Sequence, residues 1–145
     1  MGTTMVCALV HGSKVAILNV GDSRAYYISG EGITKVTRDH SVVEDLLQHG
    51  KITPEEARNH PKKNLITRCL GTEYEVDPDL YELKLKVGDR LLLCSDGLSN
   101  MLTDQEILYE VVHGGDGETC CQRMLDIALS RGAPDNVTAV LIEIA

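Results

Sequence analysis

Apolar runs separated by turn residues dominate the first part of the chain. Met5 to Val10 and Val15 to Val20 are two such runs, and His11 to Lys14 between them has the composition of a hairpin turn. Both runs are apolar almost throughout, which predicts strands that are covered on both faces. A second hairpin is predicted around Ser29 to Gly32, because glycine permits the backbone angles of a tight turn. The pattern therefore predicts antiparallel strands packed against a further layer.

The second half of the chain contains three more predicted strands. From Tyr81 to Val87, apolar residues alternate with charged ones, which is the period of a strand with one solvated face. Gly88 and Asp89 are predicted to turn this strand into an apolar strand from Leu91 to Cys94. The last strand is predicted from Val137 to Ile144.

Helical spacing replaces the strand pattern between about Ser41 and Gly71. Val43, Leu46 and Leu47 share one face of a predicted helix. Thr53 to Glu56 has the capping-box pattern, in which a threonine and a glutamate three residues later bond each other's backbone amides. We therefore expect two short helices in this segment.

Two longer helices are predicted near the end of the chain. Thr103 to Glu106 repeats the capping box before the first of them. The apolar stripe of the second consists of Cys121, Met124, Leu125, Ala128 and Leu129. Gly132 is predicted to end that helix. Helices that follow and cover the strands predict an α+β fold with an antiparallel β-sandwich flanked by helices.

The composition limits the kind of partner. A length of 145 residues suits one domain, and no linker or repeat divides the chain. The sequence has 14 basic and 22 acidic side chains, a net charge of −8 with neutral histidines, which disfavours nucleic acid or an anionic membrane. No apolar run approaches the roughly 20 residues that span a bilayer, and no signal-like segment begins the chain. We expect a soluble, cytoplasmic protein.

The cysteines do not form the pattern of a disulfide framework. They are Cys7, Cys69, Cys94, Cys120 and Cys121. Their odd number, the lack of a CxxC pair and their apolar neighbours indicate small buried hydrophobes, while the adjacent pair Cys120 and Cys121 leaves a redox role open. Phe and Trp are absent, so the core must be mainly aliphatic.

Three aspartates lie at predicted strand ends beside glycine or a small polar residue. They are Asp22, Asp96 and Asp135. Carboxylates at the ends of neighbouring strands can converge on one edge of a sandwich, where their hard oxygen atoms suit Mg²⁺ or Mn²⁺. The alternative is that each is a turn residue, because Asp-Gly and Asp-Ser are common in turns. The spacing alone leaves both interpretations open.

Six short motifs follow one another along the chain. They are Gly2 to Thr4, Asn19 to Tyr26, Thr37 to Ser41, Ile66 to Gly71, Leu92 to Leu98 and Asp135 to Thr138. In this order they resemble the metal-dependent protein phosphatases, also called type 2C, and Gly50 to Pro61 resembles the flap of the bacterial branch. The resemblance implies two central antiparallel sheets flanked by helices, with a small helical flap at about residues 41–71.

The resemblance also implies roles for the three aspartates. Asp96 and Asp135 would be ligands of a pair of catalytic Mg²⁺ or Mn²⁺ ions, and Asp22 with Asp96 could hold a third, weaker ion. The implied reaction is hydrolysis of phosphoserine or phosphothreonine in target proteins of a serine/threonine kinase, by a water that bridges the two ions. Cys94 would then be a packing residue beneath the site and not a nucleophile.

The resemblance covers only the C-terminal part of the family's catalytic domain. The family's segment before Gly2 supplies two strands and a metal-bridging Asp-Gly motif that has no counterpart in this sequence. Asn100 occupies a position where some relatives have a further acidic ligand. We therefore expect a sandwich that is incomplete at the N-terminus, a chain that alone is inactive or nearly so, and strand edges that favour self-association.

The remaining candidate side chains are interpreted as structural. Arg24 would tie the Asp22 loop to a carbonyl or carboxylate, and Arg68 would lie at the base of the flap, although arginine also suits phosphate. His40 would cap or pack within its own loop, and no histidine is assigned a catalytic role.

Two other functions remain open at this stage. The chain could be a non-catalytic module of the same fold that binds a phosphoprotein or a cation. It could also belong to the phosphatases of sporulation and stress response, but those usually lack the flap that residues 41–71 resemble. The sequence favours the protein phosphatase.

Overall fold

Two antiparallel sheets and five helices make up the fold. The computed structural model describes residues 1–145. The strands are β1 (Met5–His11), β2 (Lys14–Val20), β3 (Arg24–Ser29), β4 (Gly32–Lys35), β5 (Asp79–Lys84), β6 (Arg90–Cys94) and β7 (Ala139–Glu143). The helices are α1 (Val42–Gln48), α2 (Pro54–Arg58), α3 (Asp96–Ser99), α4 (Asp104–His113) and α5 (Gly117–Ser130). One sheet has the order β1-β2-β5 and the other β4-β3-β6-β7, so the predicted α+β class is confirmed.

Alternate residues of the central strands face two different cores. In β3 and β6, Ala25 and Leu91 pack between the two sheets against Val15 and Ile17 of β2. Tyr26 and Leu92 point the other way, into a core shared with the helices, whose buried members include Ile107, Val111, Cys120, Met124 and Ala128. Because successive side chains of a strand point to opposite faces, the four-stranded sheet is covered on both sides. None of the helices has the length and apolar content needed to cross a bilayer.

The first hairpin differs from its prediction in how much of it is covered. β1 and β2 pair as expected, with His11 opposite Lys14 across the turn. However, β1 is the edge strand of its sheet, and its Leu9 is 74% exposed. The prediction that both strands are covered on both faces was wrong, because α4 and α5 pack on the other sheet.

The predicted turn at Gly88 and Asp89 joins strands that belong to different sheets. The strand before it, β5, pairs with β2, whereas the strand after it, β6, pairs with β3. Gly88 has a φ of +89°, and Asp89 accepts hydrogen bonds from the Lys86 amide and the Tyr27 hydroxyl. The turn therefore carries the chain from one sheet to the other and does not close a hairpin.

The predicted helices form, whereas α3 was not predicted and the buried face of α5 differs in part from its predicted stripe. Both predicted capping boxes form, from Thr53 with Glu56 and from Thr103 with Glu106. Gly132 follows α5 with a φ of +77°, as a helix stop requires. The buried face of α5 is Cys120, Met124 and Ala128, whereas Leu129 is 64% exposed. Met124 and Ala128 of the predicted stripe are therefore buried, but Cys120 is buried in place of Cys121, because its thiol donates to the backbone carbonyl of Glu110 in α4.

The segment 41–71 lies outside both sheets and is weakly packed. Its two ends are joined by a bridge between Ser41 and Ile66. Within Gln48 to His60 only Ala57 is buried, whereas most of β6 is buried. We therefore expect its amides to exchange roughly 100-fold faster than those of β6, because few apolar contacts oppose local opening. Hydrogen exchange measured by mass spectrometry checks this, and equal protection of the two segments would contradict it.

Candidate functional site

A cleft of about 480 Å³ lies between the two short helices α1 and α2 and the loops at one edge of the sheets. Its lining is mostly polar and includes Asp22, Asp39, Asp96, Asn100 and Asp104. Asp22 follows β2, and Asp96 begins α3 directly after β6. The sandwich edge thus brings together two of the three aspartates that the sequence singled out.

The Asp22 loop is held on two sides by its neighbours. Gly21 has a φ of +114°, and a Cβ there would overlap the side chain of Thr4. The amide of Gly21 donates to Nδ1 of His40 at 3.0 Å, so Nε2 of that ring carries the hydrogen and donates to Asp79 at 2.8 Å. His40 is buried and thereby fixes the loop against β5, which agrees with a structural role.

Asp135 lies in the exposed turn before β7 and does not line the cleft. Its turn is nevertheless attached to the residues around Asp96. The Ser95 amide donates to the Thr138 carbonyl at 3.0 Å, and the Thr138 amide donates to the Ser95 hydroxyl at 3.0 Å. A Cβ on Gly97 would overlap the backbone carbonyl of Asn136. Close backbone packing therefore fixes the Asp135 turn against the start of α3.

The three carboxylates influence one another electrostatically. Burial, followed by repulsion from Asp96, raises the pKa of Asp22 to about 6. Burial, followed by repulsion from Asp135, raises the pKa of Asp96. Asp96 is thus the neighbour that the other two share. No three His, Cys, Asp or Glu side chains in the chain form a group that could enclose a metal ion. We call Asp22, Asp96 and Asp135 an open ligand set, because they do not surround a cation by themselves.

All three guanidinium nitrogens of Arg24 donate to protein groups. Its Nε and Nη2 donate to the two carboxylate oxygens of Asp39 at distances of 2.7 to 3.1 Å, and its Nη1 donates to the Tyr26 hydroxyl at 2.9 Å. That hydroxyl donates in turn to Asp104 at 2.9 Å. The expectation that Arg24 ties this loop to a carboxylate is confirmed. Sequence reasoning missed Asp39 and Tyr26, because nothing in their spacing shows that they meet.

The other candidates lie at the edge of the site or beneath it. Arg68 donates to the Asp77 carbonyl at 3.0 Å and to Asp79 at 3.3 Å, so it joins the end of the flap to β5. Cys94 is buried, and burial raises the pKa of its thiol to about 12. A thiol in this state is not a nucleophile near neutral pH, which agrees with a packing role.

Comparison with known proteins identifies the family. A sequence profile described as protein phosphatase 2C matches residues 1–129. The chain belongs to this family. The inference from the six motifs is therefore confirmed.

Bacterial serine/threonine phosphatases are among the similar proteins. The chain is 41% identical over 144 residues to PstP of Mycobacterium tuberculosis, covering 99% of this chain and 28% of that protein. It is 41% identical over 143 residues to the phosphatase stp of Listeria innocua, covering 99% of this chain and 57% of that protein. The chain thus spans between about a quarter and three fifths of the length of these relatives.

Solved structures agree with the sequence comparisons. Serine/threonine phosphatase Stp1 of Staphylococcus aureus has a TM-score of 0.96 and 47% identity, covering 100% of this chain and 57% of that one. The catalytic domain of PstP in complex with two manganese ions has a TM-score of 0.87 and 39% identity, covering 100% of this chain and 60% of that one. The predicted phosphatase-like fold is confirmed by these similarities.

Proposed function

We propose that this chain forms the C-terminal part of the catalytic site of a metal-dependent protein serine/threonine phosphatase. Asp96 and Asp135 would hold the catalytic Mg²⁺ or Mn²⁺ ions, and Asp22 with Asp96 a third, weaker one. Residues 1–145 would form one unit, with residues 41–71 as its flap. The observation that carries the proposal is the position of Asp96, which lines the cleft beside Asp22 and whose own pKa is raised by burial and then by the charge of Asp135.

The side chains fit a divalent cation. They offer hard carboxylate oxygens, and a bound cation would relieve the repulsion that disfavours the ionised forms of Asp22 and Asp96. When bound, such ions lower the pKa of a coordinated water and offset charge on phosphoryl oxygens. Asn100 lines the same cleft with an amide in place of a carboxylate, which favours a weak third site.

Other residues of the chain would hold the proposed metal ligands in position. The hydrogen bond from the Gly21 amide to the His40 ring would hold the loop that carries Asp22. The close packing of Gly97 on the Asn136 carbonyl would hold the turn that carries Asp135. Arg24 is occupied by Asp39 and is not free to bind a phosphate group. Substrates would be proteins phosphorylated on serine or threonine by a kinase, since the relatives are named serine/threonine phosphatases.

The open ligand set argues for little activity in the isolated chain. Asp22, Asp96 and Asp135 would by themselves hold the ions only weakly, because no group of three metal-ligating side chains in this chain encloses a cation. We expect the 145-residue chain to hydrolyse p-nitrophenyl phosphate at or near background with Mn²⁺. A non-catalytic module of the same fold that binds a phosphoprotein or a cation is the second candidate.

Metal binding by the isolated chain tests the proposal. We expect weak Mn²⁺ binding that Asp96→Asn reduces at least about tenfold, since even the loss of a supporting residue costs that much at a metal site. Isothermal titration of both proteins measures the change. Asp126→Asn is the matched control, because Asp126 is exposed on α5 and outside the cleft. Equal affinity of the wild type and Asp96→Asn would show that Asp96 is only a turn residue.

We also infer that the isolated chain self-associates. Leu9 and Leu80 lie on the outer face of the three-stranded sheet and are 74% and 59% exposed. Exposed apolar surface beside an unpaired strand edge favours association. Sedimentation at micromolar concentration should show species larger than a monomer, and Leu80→Lys should reduce them more than Leu129→Lys on α5. A compact, stable wild-type monomer would contradict this inference.

A further inference from the structure

One arginine differs from all the others in its pairing. The chain has seven arginines, and six of them lie within 4.0 Å of a carboxylate. The exception is Arg58 on α2, although the protein has 22 acidic side chains available for pairing. Arg58 lines the cleft that contains Asp22 and Asp96. The one guanidinium without a carboxylate partner is thus located in the candidate site.

Two lysines in the same cleft are also unpaired. Lys63 follows α2 and is exposed, and Lys35 ends β4 and is half-buried. Neither forms an ion pair within the protein. We call Lys35, Arg58 and Lys63 the cationic rim. Its position contrasts with that of Arg24, which lines the same cleft and is neutralised by Asp39.

Three of the six acidic side chains that line the cleft have partners within the protein. Asp39 is bound to Arg24, Asp104 accepts from Tyr26, and Glu44 lies 3.7 Å from Arg38. Only Glu55, beside the rim on α2, is exposed without such a contact. The rim therefore remains available for an external anion, whereas Asp22 and Asp96 remain available for cations.

The geometry places the rim beside the proposed metal ligands and not among them. Arg58 lies against the end of α3, with its Nη2 3.5 Å from the Asn100 carbonyl, and α3 begins at Asp96. Arg58 and Lys63 are exposed, so they lie at the mouth of the cleft. A ligand with a phosphate group near Asp96 could therefore place a second anionic group, next to that phosphate group, against Arg58 and Lys63.

We propose that Arg58 and Lys63, supported by Lys35, bind acidic side chains that flank the phosphorylated residue of a protein substrate. This rests on the proposed phosphatase function and adds a substrate class, phosphopeptides with glutamate or aspartate near the phosphorylated position. The planar guanidinium of Arg58 suits a carboxylate, with which it can form two parallel hydrogen bonds. Nucleic acid is disfavoured as the ligand by the net charge of −8.

Peptide binding to the 145-residue chain tests the rim directly. Two phosphothreonine peptides are compared by NMR titration with Mn²⁺ present, one with glutamates on both sides of the phosphothreonine and one with glutamines. Exposed ion pairs each contribute about twofold to fivefold in affinity. We therefore expect the glutamate peptide to bind about tenfold more tightly, and the preference to fall below about threefold in Arg58→Gln/Lys63→Gln.

Lys62 provides the matched control. It is exposed and adjacent to Lys63 but does not line the cleft. Lys62→Gln should keep the tenfold preference. Equal binding of the two peptides by the wild type, an unchanged preference in the double variant, or an equal loss in Lys62→Gln would each overturn the proposal. A double variant that weakens both peptides equally would assign the rim to the phosphate group itself and overturn it as well.

The proposal for the cationic rim and the proposal for the metal site are tested by different measurements. The Mn²⁺ titration with Asp96→Asn reports on the proposed function, whereas the difference between the two peptides reports on the rim. Loss of peptide preference with intact, Asp96-dependent Mn²⁺ binding would overturn only the rim. Unchanged Mn²⁺ affinity in Asp96→Asn, with the preference retained, would contradict only the metal site. Failure of the wild type to bind either peptide at millimolar concentration would overturn the rim.

Discussion

Replacing Asp96 with alanine is expected to reduce phosphatase turnover at least about 1000-fold in a protein that joins this chain to the rest of the family's catalytic domain. The loss corresponds to several kcal/mol of charge stabilisation in the transition state, which metal ions supply when their ligands hold them in place. Asp135→Ala should have a similar effect. Asp22→Ala should reduce turnover less, because Asp22 is proposed to hold only the weaker ion. Steady-state hydrolysis of a phosphothreonine peptide with Mn²⁺ measures all three variants.

Two controls separate this loss from general damage. Asp126→Ala removes an exposed carboxylate of α5 outside the cleft and should leave turnover near the wild-type value. Cys94→Ser should keep most of the activity, because the thiol is buried with its pKa raised to about 12 and takes no part in the proposed reaction. Turnover in Asp96→Ala comparable to that of the wild type would exclude Asp96 as a metal ligand. Robust turnover by the 145-residue chain alone would show that another residue completes the site, and Asp39 and Asp104 are the residues to test for that role.

Gly97→Ala is expected to destabilise the isolated chain by about 3 kcal/mol. The new Cβ would overlap the Asn136 carbonyl and lie 2.9 Å from the carbonyl carbon, and backbone cannot rotate away as a side chain can. Either α3 or the turn that contains Asp135 must then move. Urea unfolding measures the free energy, and the amide NMR shifts of residues 134–138 report the displacement.

Gly117→Ala is the matched control for this substitution. Gly117 lies at the start of α5, and a Cβ there would meet only the Leu141 side chain at 3.8 Å, which is ordinary contact. We expect a change within about 1 kcal/mol, because alanine is favoured over glycine in helices. If Gly97→Ala were as well tolerated as Gly117→Ala, the close packing of α3 on the Asp135 turn would be wrong.

The sequence predicted secondary structure well wherever the stabilising hydrogen bonds join residues that are close together in the chain. The capping boxes at Thr53 and Thr103 form, because each joins residues only three positions apart. The turn at Gly88 was predicted, but the sequence did not show that the strands on its two sides belong to different sheets. The residues of a turn do not indicate whether the next strand joins the same sheet or another one, because strand pairing depends on all the strands of the fold.

Burial was harder to predict than the elements themselves. The apolar run of β1 indicated a strand covered on both faces, yet Leu9 is 74% exposed because the strand lies at an edge without a helix over it. In α5 the structure buries Cys120 where the stripe predicted Cys121, because the contact between Cys120 and Glu110 depends on the packing of two helices. Periodicity gives an apolar face, and only the tertiary neighbours determine whether it is covered.

The sequence by itself determined the family, the strand and helix types and the three aspartates worth testing, because motifs and caps are local properties of the chain. Only the tertiary structure showed that Asp96 is the shared electrostatic neighbour of Asp22 and Asp135. It also decided which arginines are paired, so that Arg24 is neutralised by Asp39 whereas Arg58 has no carboxylate partner. Charge pairing depends on distances between residues far apart in the chain, and those distances exist only after the sheets and helices have packed.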